Sequence, residues 1–220
     1  MLTMVRSEDT QRATAIVPTV FVVQSEVPAR DALRRLIEAS GWRAETFAAA
    51  QDFLARPRTP GPSCLIIDIA MPDLDGLDMQ RRVAADRPET PVLFTGDTDV
   101  SVVVQAMKAG AMEFLAAPWR EEVLVDAIEQ ALQRSRQLLA RRAKLMNLHE
   151  SYRALTRREG EVMVLVVSGL LNKQVAGELG ISEITVKAHR GQVMRKMKAT
   201  SLPALVHMVA DLGLPTGAFA

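Results

Sequence analysis

The sequence predicts an α/β domain built on a five-stranded parallel sheet, then a long helix, then an all-helical domain of four short helices. Three observations lead there. Over the first 130 residues, short β-branched and apolar runs alternate with segments of helical period, the pattern of a parallel sheet covered on both faces. Past Arg120 the strand-like runs stop. Formal charge also changes sign along the chain: residues 1–130 carry 13 Lys/Arg against 20 Asp/Glu, and residues 131–220 carry 14 against 6. The second part is therefore suited to a polyanion, although a basic excess is also compatible with a merely solvated face.

The elements follow in order. Thr19-Val-Phe-Val-Val23 reads as a buried strand. A helix from about Pro28 to Ser40 gathers Ala32, Leu33, Leu36 and Ile37 on one side and stops at Gly41. A weaker strand, Arg43 to Phe47, and a short helix, Ala49 to Ala55, lead to the Pro/Gly loop Pro57–Pro62. Cys64-Leu-Ile-Ile-Asp68 is a continuous apolar strand run that ends on a carboxylate and opens the turn Met71-Pro72-Asp73-Leu74-Asp75-Gly76. A helix from about Leu77 to Asp86, a strand Pro91 to Thr95, a helix Val100 to Ala109 closed by Gly110, and a strand around Met112 to Ala116 complete the alternation.

From Arg120 a helical pattern reaches about His149, apolar at Val123, Leu124, Ala127, Ile128, Ala131 and Leu132 and then basic through Arg134, Arg136, Arg141, Arg142 and Lys144. Unbroken, about 28 residues would span on the order of 40 Å and act as a connector; the alternative is a helix and a solvated linker broken near Ser135. Thr156-Arg-Arg-Glu159 is a capping box, and its helix runs to Gly169. Asn172 starts a second short helix ending at Leu179-Gly180, Ser182 caps a third running to about Met197, and Ser201 begins a fourth with Pro203 in its first turn.

Composition narrows the class. Of 220 residues, 48% are apolar and 24% charged, an ordinary globular balance. No apolar run approaches the roughly 20 residues of a membrane span, and residues 1–17 carry Arg6, Glu8, Asp9 and Arg12 without a signal-peptide core. These residues are expected to form a flexible leader, and the protein to be cytoplasmic. Cys64 is the sole cysteine, which excludes an intramolecular disulfide and a cysteine zinc cluster. The three histidines, His149, His189 and His207, fall outside the first domain, and no nucleophile–base pair or glycine-rich phosphate loop is present, so no enzyme is expected.

Leu155-Thr-Arg-Arg-Glu159, Gly169-Leu-Leu-Asn-Lys-Gln-Val-Ala176, Leu179-Gly-Ile-Ser182 and Thr185-Val-Lys-Ala-His-Arg190 together resemble the LuxR-type helix-turn-helix domain over about 60 residues. The resemblance implies that the helix from Ser182 enters the major groove with its N-terminal part foremost. It places Lys187, Ala188 and Gly191 nearest the base edges, with Lys187 donating to guanine and Ala188 touching a thymine methyl. Asn172, Lys173, Thr185, His189 and Arg190 are expected at phosphates, where they set register. Taken singly, each of these has a structural reading too: solvated surface for Lys187 and Arg190, a structural histidine for His189. Gly191 costs roughly 1 kcal/mol relative to Ala inside a helix, which points to close approach of DNA or of a neighbouring helix.

Phe21-Val-Val-Gln-Ser-Glu26, Leu65-Ile-Ile-Asp-Ile-Ala-Met-Pro72, Phe94-Thr-Gly96, Ala106-Met-Lys-Ala-Gly-Ala111 and Phe114-Leu-Ala-Ala-Pro118 resemble the receiver domains of FixJ/NarL-type response regulators, which have a flavodoxin-like fold. The resemblance implies Asp68 as phosphoacceptor, Thr95 as the hydroxyl at the phosphoryl oxygens and Phe114 as the relay aromatic. It also exposes departures. Gln24 and Ser25 stand where the family holds Mg²⁺ with an acid pair, and Ala117 stands where it has a lysine. A neutral amide and a hydroxyl beside one carboxylate make a poor Mg²⁺ site, and phosphoryl transfer relies on cations that neutralise developing charge. Glu26, Asp73 and Asp75 are the nearby acids available as substitutes, but none restores the lysine. On this reading Asp68 becomes a strand-end acid that only accepts hydrogen bonds, and no cofactor is expected.

The expected organisation is a flexible leader (1–17), a receiver-like domain (18–130), a helical linker (131–150) and a helix-turn-helix domain (151–214). The expected function is a homodimeric regulator that binds double-stranded DNA, controlled without standard Mg²⁺-dependent phosphorylation. Symmetric dimers match paired half-sites, and the resemblance places the dimer surface on the Val100–Ala109 helix, the last strand and the Arg120 helix. Two alternatives stand beside it: a conventional regulator switched at Asp68 by a sensor kinase, and an interaction module that sequesters a kinase or another regulatory protein. No membrane partner is expected.

Overall fold

The computed structural model describes residues 17–72 and 75–214. Of the expected leader only Val17, which is exposed, falls among them, and Asp73 lies outside them. The chain divides into two compact units, the first ending at Leu139 and the second beginning at Ala140.

In the first unit, strands β1 (Thr19–Val23), β2 (Arg43–Phe47), β3 (Ser63–Asp68), β4 (Val92–Gly96) and β5 (Glu113–Ala116) pair in parallel in the order β2-β1-β3-β4-β5. This is the doubly wound flavodoxin-like order, whose switch point lies between β1 and β3. Helices α1 (Val27–Ala39), α2 (Ala50–Ala55), α3 (Gly76–Asp86), α4 (Val100–Lys108) and α5 (Glu121–Arg153) follow the strands in turn.

Alternate side chains of the strands feed two cores, as the period of two requires. Val20, Val22, Cys64, Ile66 and Leu93 pack with Leu33 and Ile37 of α1 and with Leu124, Ile128 and Leu132 of α5. Phe21, Val23, Leu65, Ile67 and Phe94 face the other way, onto Phe53 of α2, Met79 and Val83 of α3 and Ala106 of α4. Burial pushes the Cys64 thiol far up, so it remains protonated and behaves as a small apolar side chain.

Helix α5 continues unbroken past Ser135, against the alternative of a break there. Ser135 is instead a buried anchor: its hydroxyl donates to the Glu89 carbonyl at 2.7 Å and accepts from the Ser63 amide at 3.0 Å. Residues 131–150 are helical throughout, and Ala131, Leu132 and Ser135 lie in the interior of the first unit.

The second unit is built from the end of α5 and from α6 (Arg157–Val167), α7 (Asn172–Leu179), α8 (Glu183–Lys196) and α9 (Leu202–Asp211). The starts are set locally. Thr156 and Glu159 form the reciprocal capping box, Ser182 accepts from Thr185, and Ser201 accepts from Ala204. Gly180 ends α7 at φ +63°, a left-handed conformation that needs no strain only in glycine. Val162, Val166, Val175 and Val186 form one small core and Met163, Val193, Leu205 and Val209 another, so α8 is packed from both sides of its inner face.

Candidate functional site

Asp68 ends β3 at the switch point, where the carboxyl ends of the strands leave a crevice for ligands. Both of its oxygens are engaged. Oδ1 accepts from the Ala70 amide at 2.9 Å, and Oδ2 accepts from the Gln24 side-chain amide at 2.9 Å. Gln24, 8% exposed, follows the last residue of β1, so strand order brings it beside a partner 44 residues away. Its Oε1 accepts from the Glu26 amide at 3.1 Å, and its carbonyl takes one Arg30 guanidinium nitrogen at 2.6 Å, which also reaches the Ser25 carbonyl at 3.0 Å. The β1–α1 loop is thereby closed on itself and tied to β3.

The other sequence-assigned residues sit around this pair. Thr95 is buried and stands opposite Asp68 in the ladder. Ala117 is exposed, and its amide donates to the Gly96 carbonyl at 3.0 Å. Phe114 packs into the second core, with its ring stacked on Phe94 at 6.5 Å. Of the candidate substitute acids, Glu26 is exposed, while Asp75 accepts from the Leu77 amide at 2.7 Å and caps α3. Among the described residues no three His, Cys, Asp or Glu side chains form a group that could hold a metal ion.

Gly96 was not singled out from the sequence, yet the site depends on it. At φ +130°, a Cβ there would stand 3.0 Å from Asp68 Oδ1 and 3.1 Å from Ile69. The available signal was a glycine directly after the strand-end Thr95.

In the second unit, α7 and α8 carry the residues assigned to DNA. Lys173, Lys187, Ala188 and Gly191 are exposed, and Asn172, Thr185, His189 and Arg190 are half-buried. Lys187 pairs loosely with Glu183 at 3.7 Å. Asn172 is the first helical residue of α7 and not its cap; the cap position is Leu171, whose amide donates to Gln174 at 2.8 Å. The Asn172 side chain is thus left to accept from Arg190 at 3.2 Å, which joins the two helices. Gly191 needs correction in one respect: a Cβ there meets nothing within 4 Å, so no neighbouring helix requires the glycine.

Two further contacts that sequence spacing did not suggest fasten α8 and α7 to α6. Glu159, nearly buried, accepts from Lys196 at 2.6 Å as well as from Thr156 at 2.7 Å. The Lys196 ammonium, followed by the Thr156 amide, holds the Glu159 carboxyl below its usual range. Arg158 donates to the Leu179 carbonyl at the end of α7 at 2.5 Å.

Comparison with known proteins agrees with this fold. Residues 20–129 match the response regulator receiver domain, and residues 153–209 match the luxR family of bacterial regulatory proteins. The chain is 41% identical over 196 residues to nodulation protein W of Bradyrhizobium diazoefficiens, covering 89% of this chain and 86% of that one. It is 37% identical over 194 residues to the transcriptional regulatory protein FixJ of Rhizobium meliloti, covering 86% and 94%. The solved structure of response regulator StyR aligns with a TM-score of 0.78 at 42% identity, over 88% of this chain and 98% of that one. With a five-stranded parallel receiver followed by a helical luxR-family domain, this chain belongs to the response regulators and is a DNA-binding transcriptional regulator.

Proposed function

We propose that the protein acts in the cytoplasm as a homodimer on double-stranded DNA and that its control does not pass through Mg²⁺-dependent phosphorylation of Asp68. One observation carries this reading: Gln24 donates to Asp68 Oδ2 at 2.9 Å, so the carboxylate at the switch point already has a neutral partner where a cation would otherwise be needed. Gln24, Ser25 and Asp68 do not suit Mg²⁺, which favours hard carboxylate oxygens in a near-octahedral set. Ala117 offers no cation to developing phosphoryl charge. A regulatory protein, a kinase acting by contact or a small ligand would then supply the signal.

Dimerisation is supported by Val100, Val104 and Met107, spaced to form one exposed stripe on α4. They belong to the surface that the receiver resemblance assigns to the dimer. DNA binding through α8 is supported by its four basic residues against one acidic residue. In this reading Lys187, Ala188 and Gly191 face base edges, and Asn172, Lys173, Thr185, His189 and Arg190 serve the phosphates.

The test adds a phosphoryl analogue such as beryllofluoride with millimolar Mg²⁺ to the full-length protein. It follows the dimer fraction by sedimentation and the affinity for a duplex selected from a randomised pool. Both are expected to stay unchanged. A shift in either, abolished by Asp68→Asn, would establish conventional switching and overturn the proposal.

A further inference from the structure

We propose that Ile184 is a specificity-determining residue that reads thymine by packing on its C5 methyl group in the major groove. This rests on the reading of α8 as the helix that enters DNA. Ile184 is 80% exposed, the most exposed large apolar side chain among the described residues. Singly exposed apolar residues are common and need no explanation; its place on α8 is what makes it informative.

The apolar residues of α8 lie on two faces. Val186 and Val193 point into the cores of the second unit and are almost fully buried. Ile184, Lys187, Ala188 and Gly191 fall at i, i+3, i+4 and i+7, one stripe of a helix, and all four are exposed. That stripe is apolar or small apart from a single lysine, and nothing among the described residues of the unit covers it. Its surroundings point to a duplex and not an apolar protein surface: Lys187, Arg190 and Arg195 lie along the same helix, with Glu183 as its one acid, while Lys196 is held by Glu159.

Position adds to this. Ser182 caps α8 through its bond with the Thr185 amide at 3.1 Å, so Ile184 lies in the first turn, the part of a recognition helix that meets base edges. Among the four bases only thymine presents an apolar group in the major groove, its C5 methyl. A β-branched side chain in a helix holds essentially one χ1 rotamer, so Ile184 loses little freedom on docking. The stripe therefore reads a thymine at Ile184 next to the base contacted by Lys187.

The experiment uses the full-length protein and duplexes selected from a randomised pool. Selected sites are expected to hold thymine at a fixed position in each half-site. Replacing that thymine by uracil, which removes only the methyl, should weaken binding of the unaltered protein about fourfold for each half-site changed, equivalent to the roughly 0.8 kcal/mol of one buried methylene-sized group. Ile184→Ala should lose that dependence, binding thymine and uracil duplexes alike, while its salt dependence stays unchanged because no phosphate contact is removed. An equal uracil penalty in Ile184→Ala and in the unaltered protein would overturn the proposal and leave DNA reading by α8 intact. Failure of the unaltered protein to select any sequence would instead overturn both.

Discussion

Gln24→Glu is a nearly isosteric change that turns the bond to Asp68 into a clash of carboxylates. The amide donates at 2.9 Å; its replacement has no proton to give at neutral pH. Removing a hydrogen bond to a charged group costs about 1.5–3 kcal/mol. Two carboxylates near 4 Å repel by about 4 kcal/mol at an effective dielectric near 20, and the half-exposed setting of Asp68 reduces this to about 2 kcal/mol or less. Rearrangement of the loop relieves part of both, leaving an expected loss of about 3 kcal/mol, or on the order of 10 °C in melting temperature for a unit of this size. Trp42 and Trp119, the two tryptophans of the chain, both pack against the first unit's core. Thermal unfolding followed by tryptophan fluorescence therefore reports on this unit. Repulsion between like charges favours uptake of a proton by the introduced carboxyl, which can then donate the bond that Gln24 donates, so the deficit should shrink as pH falls toward 4. A shift under 1 °C at pH 7, or a shift of equal size at pH 4, would refute this account of the pair.

Three other outcomes are expected. Glu159 is held below its usual range chiefly by Lys196, so its contribution is present above the ordinary glutamate value and is lost as pH falls through its lowered folded value. Lys196→Met should flatten that acid limb in unfolding of the second unit followed by circular dichroism, and an unchanged acid limb would contradict the pairing. Ser135→Ala strips partners from the Ser63 amide and the Glu89 carbonyl and should cost about 2 kcal/mol in urea unfolding followed by tryptophan fluorescence. Gly191→Ala meets open space, so it should stabilise the second unit by up to about 1 kcal/mol in the same circular dichroism assay, while weakening DNA binding if that face lies against the groove.

The fold was legible because its signals are local. Thr19–Val23 and Arg43–Phe47 form strands with the bounds read from the sequence, and the other elements begin and end within a few residues of their stop signals. Capping at Thr156, Ser182 and Ser201 was equally readable, since each bond closes within three residues. Asp68 was visible as a strand-end acid. What surrounds it was not: Gln24 lies 44 residues away, and its amide reaches Asp68 only because β1 and β3 are neighbours. Ser135 misled for the same reason, since a serine in a helical run reads as a weak point until its partners at Ser63 and Glu89 are known. Gly191 shows the converse, as no local pattern tells whether a helical glycine faces a neighbour or open space.

By itself the sequence determined the order and kind of the elements and the change from an acidic α/β part to a basic helical part, because period, capping and composition act over a few residues. Only the tertiary structure decided what Gln24 does in that place, which carbonyl and amide hold Ser135, and how Glu159 and Arg158 fasten α8 and α7. Those contacts join residues 21 to 72 positions apart, and such partners exist only once parallel pairing and helix packing have brought distant backbone together.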